Sequence, residues 1–365
     1  MLSSPERIIF MCYKRGKVTL IMLLDQMPPA IEPRNIAAVQ HTEQAELRSE
    51  INWEPIYAVH CKRGNTLMPS TMKIGICLPY MKAGLNREDY LAWFKAIDDG
   101  PFHAVSCGER VHGPTFDMRV LLACAAMATT RVEITPTLYV LPMHNATRVA
   151  KELATLDILS GGRVRNISVG YGGRTKDYEA VGAKFHGRYG RMDRQVEEMR
   201  AVWRGDEIVA GGGMIGPTPT WAQAPRMLAG AMGPKSIERC AQWADGLYAW
   251  SGNGEEVELS RTFAMADAAW ERAGREQIPY RMGGFWYTLA ENGQQKLYDY
   301  VYEYLSISGP EIATMMAESV HRSSADSILA ALDNAEAAGC EELFMVPATA
   351  DLCEIDGLCE LLAKR

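Results

Sequence analysis

Three short stretches of the chain combine reactive side chains with residues that let a ligand come close. The first is Gly230-Ala231-Met232-Gly233-Pro234-Lys235-Ser236. Without a Cβ, the backbone at Gly230 and Gly233 can lie directly against a ligand. Proline suits the first position of a helix, and a helix start presents unpaired N–H groups and the positive end of the dipole. With the Lys235 ammonium and the Ser236 hydroxyl added, the segment reads as a seat for a phosphate. The plain alternative is an ordinary turn into a helix. The second stretch, Gly170-Tyr171-Gly172-Gly173, follows an apolar run, Ile167 to Val169. Glycines there either satisfy a tight turn or clear space beside a flat ligand. In the third, Cys107-Gly108-Glu109-Arg110, a carboxylate and a guanidinium are adjacent. In a cleft they would hold the polar edge of a ligand or steady a negative charge; on the surface they would form an ion pair worth little. His144 and His186 are the histidines placed to move a proton, although a loop histidine is as often a plain surface residue. No HxH or HxxxH spacing occurs among the seven histidines, so no metal site is expected.

The elements that position these stretches alternate regularly. The apolar run from Val132 to Leu141 leads into a helix with apolar positions Val149, Leu153, Leu156 and Leu159. That helix stops at Ser160-Gly161-Gly162, and the next apolar run ends in the Gly170 turn. Strand, helix and strand make a parallel βαβ unit, since parallel neighbours need a crossover. From Met72 onward the pattern recurs, predicting strands at 73–78, 103–107, 132–138, 164–169, 226–230, 246–250, 281–289 and 341–346. Helices are predicted near 87–98, 117–129, 146–160, 188–204, 234–244, 255–274, across 294–338, and at 352–363. Asn86 with Asp89 three residues on resembles a capping pair, Asp117 suits an N-cap, and Pro234 suits a first helical position. Eight strands over the 294 residues from Met72 predict an α/β fold, a (β/α)8 TIM barrel. No GxGxxG follows the first strand, which argues against an open doubly wound sheet. Barrel sites lie after the carboxyl ends of strands, and all three stretches fall there. Gly211 to Pro219 precedes strand five, on the opposite, stability-bearing face. The insertion at 290–339 carries Tyr298, Tyr300, Tyr302 and Tyr304, suited either to covering an apolar substrate or to helical packing.

These residues also carry a family resemblance. Leu141-Pro142, Ala150-Lys151-Glu152-Leu153-Ala154-Thr155-Leu156-Asp157, Leu159-Ser160-Gly161-Gly162-Arg163 and Val169-Gly170-x-Gly172 resemble the bacterial luciferase-like flavin-dependent oxidoreductases. Asp177-Tyr178-Glu179-Ala180-x-Gly182, Ala229-x-x-x-Gly233-Pro234-Lys235-Ser236 and Ala244-Asp245-Gly246 extend the likeness, which covers about residues 72–365. It implies a monooxygenase that oxidises a small organic substrate with reduced FMN and O2, the reduced flavin supplied by a separate NAD(P)H-dependent reductase. The resemblance places the flavin ring between the ends of strands three and four, against Thr137, Leu138, Gly170, Tyr171 and Gly172. Its phosphate falls at Gly230, Gly233, Pro234, Lys235 and Ser236. Members of the family commonly carry an acid and a His at the end of strand two. Glu109 fills the acidic place here and Arg110 replaces the His, leaving Glu109, Arg110 and His186 as the candidate catalytic residues. Two alternatives follow: a deazaflavin (F420) enzyme that transfers hydride, whose relatives usually have Asp-His at strand two, and a flavin-binding protein without turnover.

Bulk properties narrow the remaining classes. A formal net charge of −7 gives a nucleic-acid surface no electrostatic support. With 47% hydrophobic and 23% charged residues, the composition is that of a soluble globular protein. Nine cysteines show no CxxC pairing, and Cys77 and Cys124 sit in apolar runs as small buried hydrophobes; a reduced, cytoplasmic protein is expected. The early apolar run from Val18 to Leu24 is too short to span a bilayer. Residues 1–71, with Pro28-Pro29, Pro33 and Pro55, lack sustained periodicity. They read as a loosely ordered extension ahead of a domain at 72–365, with Met72 a plausible natural start and a docking segment the alternative. A small substrate, a flavin, a reductase and a second copy of the chain are the expected partners.

Overall fold

Eight short strands are buried along most of their length, and each is followed by at least one helix. Strands covered on both faces read as continuous apolar runs rather than alternating ones, which is how the parallel sheet announces itself here. The computed structural model describes residues 8–14, 17–23, 72–221 and 224–365. The strands are β1 (Lys73–Cys77), β2 (Ala104–Cys107), β3 (Glu133–Tyr139), β4 (Asn166–Gly170), β5 (Arg226–Gly230), β6 (Gly246–Trp250), β7 (Tyr280–Tyr287) and β8 (Glu342–Pro347). All neighbours pair parallel, and β8 pairs with both β7 and β1 to close the barrel. The expected (β/α)8 architecture is therefore present. A separate unit, Met1–Thr66, contains an antiparallel hairpin of Ile8–Lys14 with Lys17–Leu23. The second strand takes in most of the early apolar run; the rest of the expected extension lies outside the described residues.

The helices begin where capping chemistry says they should. Before α1 (Arg87–Asp99), the Asn86 side chain accepts from the Glu88 and Asp89 amides, and Asp89 Oδ2 accepts the Asn86 amide at 2.8 Å. Asp117 caps α2 (Met118–Ala128) through the Arg119 and Val120 amides. α3 (Ala146–Leu159) follows β3. After β4 comes a short unforeseen helix, α4 (Thr175–Ala180), then α5 (Arg188–Arg204). Helix α6 (Pro234–Cys240) has Pro234 at its first position and is shorter than the pattern predicts; α7 (Glu256–Arg272) follows β6. The insertion after β7 is three helices, α8 (Gly293–Leu305), α9 (Pro310–Ser319) and α10 (Ala325–Ala337), before α11 (Cys353–Leu362) ends the chain.

The amino-terminal end of the barrel is held by buried polar contacts. Gly162, at φ +83°, ends the turn after α3 and brings Arg163 under the helices. Its guanidinium donates to the Ala126, Thr129, Val132 and Ser160 carbonyls and to Thr129 Oγ1. Asp157 accepts from the Thr220 amide and hydroxyl at 2.8 and 2.6 Å. The Leu-Ser-Gly-Gly-Arg motif thus serves as a clamp far from the strand ends where ligands bind. At the floor itself Glu342 is fully buried, its Oε2 accepting from Asn166 Nδ2 at 2.8 Å and Tyr280 Oη at 3.2 Å. His103 and Glu133 lie beside it, 3.2 Å apart. Burial, reinforced by the Glu133 charge, pushes the Glu342 carboxyl up to about 7.

Cys77 is buried as expected, but Cys124 is exposed: it lies on the outer side of α2, where the apolar run wraps past the core-facing stripe. The seven described cysteines are unpaired. Among the described residues no helix is long and apolar enough to cross a membrane.

Candidate functional site

The carboxyl ends of the strands form the mouth of the barrel, and Leu138 closes its centre. Strand β3 shifts register against β4 between Thr137 and Tyr139, and the Thr137–Leu138 peptide is cis. The Leu138 side chain extends over the ends of β4 and β5. A Cβ built on Gly170 would lie 2.8 Å from Leu138 Cδ1, and one on Gly230 only 2.2 Å from Cδ2. The room cleared by these two glycines is therefore occupied by Leu138, which presents a half-buried apolar surface to the mouth. Gly172 is packed against Val140, whereas Gly173 has open space around it.

Glu109 and Arg110 do not pair with each other. They diverge because they are neighbours in a loop leaving β2, so one side chain turns to β3 and the other to β1. Glu109 Oε2 accepts the Val140 amide at 2.6 Å, and Oε1 lies 2.7 Å from His144 Nε2. Both side chains are nearly buried, 9% and 14% exposed. Tyr139 meets the His144 ring edge-on at 5.9 Å, and Gln195 holds the His144 carbonyl. A carboxylate at that distance places the imidazole proton on Nε2. The arrangement is a carboxylate–imidazole pair fixed by the backbone, suited to holding and moving one proton.

Arg110 reaches the other way, its Nη1 3.8 Å from Met81 Sδ, where the Tyr300 hydroxyl also donates at 3.7 Å. Arg174, just past the glycine turn of β4, donates to the Tyr304 carbonyl at 3.3 Å. Tyr300 and Tyr304 lie one turn apart on the face of α8 that turns to the barrel. Tyr298 and Tyr302 stack on each other instead, 6.1 Å between centroids. Trp250 and Trp286, 4.7 Å apart at the ends of β6 and β7, continue the aromatic wall, and Tyr304 packs against Trp286 at 5.5 Å. The insertion supplies two tyrosines to the mouth and spends two on helical packing.

The other expected residues scatter. Ser236 Oγ donates to the Gly233 carbonyl at 2.8 Å and accepts its amide at 3.2 Å, so its hydroxyl acts first as a cap. Lys235 is exposed, and a Cβ on Gly233 would touch only Ser236 Oγ, at 3.7 Å. The Tyr171 side chain is buried away from the mouth, its hydroxyl 2.8 Å from Cys240 Sγ. His186 is exposed on the loop between α4 and α5, its ring 6.4 Å from that of Phe185. Asp177, quoted above only as part of a family motif, now stands out. Asp177 is buried and gathers the Val111 and His112 amides, His112 Nδ1 at 2.7 Å and the flank of Arg174. No spacing rule joins these positions; only their common placement after strand ends could have suggested them.

The family described as luciferase-like monooxygenase matches residues 72–345. The uncharacterized protein Rv0953c of Mycobacterium tuberculosis is 28% identical over 172 residues, which span 45% of this chain and 60% of that protein, so the chain spans less than two thirds of that relative's length. An F420-dependent secondary alcohol dehydrogenase, solved with an F420–acetone adduct, superposes with a TM-score of 0.65 at 18% identity, covering 80% of this chain and 98% of that one. The oxygenating constituent of 3,6-diketocamphane monooxygenase from Pseudomonas putida, solved with FMN, gives 0.61 at 14% identity, covering 80% and 97%. At these identities the structures share the fold alone. With a family match over most of its length, the chain belongs to the luciferase-like monooxygenase family.

Proposed function

We propose that the chain is a flavin-dependent monooxygenase that oxidises a small organic substrate with O2, using reduced FMN delivered by a separate NAD(P)H-dependent reductase. The observation that carries this reading is the match of residues 72–345 to the luciferase-like monooxygenase family, in a barrel whose mouth holds the backbone-fixed Glu109–His144 pair. The mouth also fits a flavin in the chemistry of its lining. Leu138 offers an apolar surface for a flat ring, beside Thr137 and the turn Gly170 to Gly173. The open backbone at Gly233, with Pro234, Lys235 and Ser236, would take the phosphate. Tyr171 would contribute its backbone only, since its side chain is committed to Cys240. A bound reduced flavin supplies the two electrons that oxygen chemistry requires. The protein's own residues do the rest. Glu109 fixes the orientation of His144, His144 holds a proton at Nε2, and the wall of Trp250, Trp286 and Tyr304 excludes water from the reacting faces.

A second reading, hydride transfer with a deazaflavin, gains from one observation. Arg110 replaces the His that deazaflavin users usually carry at strand two, yet His144 reaches Glu109 from the next loop and forms a carboxylate–histidine pair in space. The test is to supply purified protein with FMN, NADH, a flavin reductase and O2, and to search a panel of small ketones, aldehydes and acids for oxygenated product by mass spectrometry. Oxygenated product supports the monooxygenase. Substrate-dependent bleaching or recovery of F420 absorbance without oxygen would favour hydride transfer, and turnover with neither would leave a flavin-binding protein.

A further inference from the structure

Arg110 and Arg174 bring two positive charges to the mouth, against which the one nearby carboxylate is Asp177, 3.5 Å from Arg174 Nε. Among the described residues no carboxylate lies within ion-pair distance of Arg110; its Nη1 donates to the weakly accepting Met81 sulfur at 3.8 Å, and its Nε is buried without a hydrogen-bond partner. The Arg174 side chain is 21% exposed, and its Nε too is buried without a hydrogen bond. The nearest carboxylate, Asp177, stands 3.5 Å from that Nε and is already taken up by the Val111 and His112 amides and the His112 ring. The two guanidinium groups are neighbours. Arg110 shares Met81 Sδ with the Tyr300 hydroxyl, and Arg174 lies on the Tyr304 carbonyl of the same helix, α8. Burial and the nearby Arg110 charge both push Arg174 below its ordinary value. Polar groups buried in a cleft are normally satisfied, and a guanidinium fork matches an oxyanion with two parallel hydrogen bonds.

We propose that Arg110 and Arg174 form a seat for the carboxylate of the substrate, whose apolar body packs on Trp250, Trp286 and Tyr304. The proposal rests on the reading of the mouth as the substrate side of a flavin site and names its substrate class: an organic acid with an apolar, ring-sized body. It also gives the replacement of His by Arg after Glu109 a function, since the proton carrier has moved to His144 and the vacated place binds charge. An oxyanion could come from the cofactor instead, and the test separates the two sources.

The probes are 2-naphthoate and its neutral isostere 2-naphthamide, titrated calorimetrically into the full chain loaded with FMN. The wild type is expected to bind the acid at least about tenfold more tightly than the amide, as one charge-assisted bidentate pair supplies. Arg110→Gln and Arg174→Gln should each abolish most of that preference. Affinity for the amide, affinity for FMN and Tm should stay close to wild type, and Arg110→Lys should restore part of the preference. Equal binding of acid and amide by the wild type, or binding of neither, overturns the seat. So does loss of FMN affinity in the Gln variants with the acid preference intact, which assigns the arginines to the cofactor. If the wild type binds no FMN, the flavin reading fails separately. The same titrations on the unloaded protein then decide the seat, an arginine-dependent acid preference sustaining it and its absence overturning it.

Discussion

Glu342→Gln should make the barrel's stability less sensitive to pH, and the size of the effect follows from the floor of the barrel. Burial and the adjacent Glu133 raise the Glu342 carboxyl from 4.5 to about 7, against the smaller opposing pull of His103, Lys73 and the Tyr280 hydroxyl. The folded state thus holds this proton where the unfolded chain has released it. The associated stability is fully present below pH 4.5 and is lost as pH rises through 7. At ~1.4 kcal/mol per pKa unit the loss amounts to ~3 kcal/mol. The glutamine is neutral throughout, and its amide oxygen can still accept from Asn166 and Tyr280, as Oε2 does now. Thermal unfolding of wild type and variant by circular dichroism, at pH 5, 6, 7 and 8, isolates the group because other titrations largely cancel in the difference. The variant should gain on the wild type by roughly 4–6 °C between pH 5 and pH 8, at about 2 °C per kcal/mol for a domain of this size. A difference that stays flat with pH, or that moves against the variant, would show that Glu342 is ionised and satisfied in the fold, and the reasoning would fail.

Other expectations are more local. Glu109→Gln can accept from Val140 or orient His144 but not both as the carboxylate does; kcat should fall by about 100-fold with a displaced pH–rate profile while flavin affinity holds. An unchanged profile would reduce Glu109 to scaffold. Gly246→Ala would put a Cβ 2.3 Å from the Tyr280 carbonyl and 2.8 Å from its nitrogen, backbone that cannot step aside. The expected cost is at least ~2 kcal/mol by chemical denaturation, and a neutral result would mean that β6 and β7 are less rigidly spaced than they are here. A chain beginning at Met72 should unfold within a few degrees of the full chain, since β1 begins at Lys73 and completes the closure; a large fall in Tm would give residues 1–71 a part in the barrel.

The barrel was legible because its signals are local. Buried parallel strands wrote themselves as short apolar runs; Asn86 and Asp117 marked helix starts through bonds that span three residues or fewer, and Pro234 marked one through its fixed backbone angle. Where contacts span the barrel the sequence is silent. His144 finds Glu109 from 35 residues away, and Arg174 meets Tyr304 across 130. The glycines show why type and spacing can mislead. Gly170 and Gly230 look like clearings for a ligand, but a register shift in β3 swings Leu138 into that space. Adjacent Glu109 and Arg110 look like a pair, yet a loop that leaves the strand sends them to opposite sides. Even the tyrosines of the insertion divide by helical face, a split that becomes visible only once α8 has a side turned to the barrel.

The function proposed for this mouth depends on its taking a flavin. The most direct measurement is a parallel fluorescence titration of the full chain with FMN and with F420, repeated on Gly233→Asp, which sets a carboxylate where the phosphate should lie. Saturable binding of one FMN per chain, weaker binding of F420, and a loss of FMN affinity of at least about tenfold in the variant are expected. Saturable binding of F420 alone would contradict the choice of cofactor, unchanged FMN affinity in the variant would contradict the phosphate seat, and binding of neither would contradict the flavin site itself.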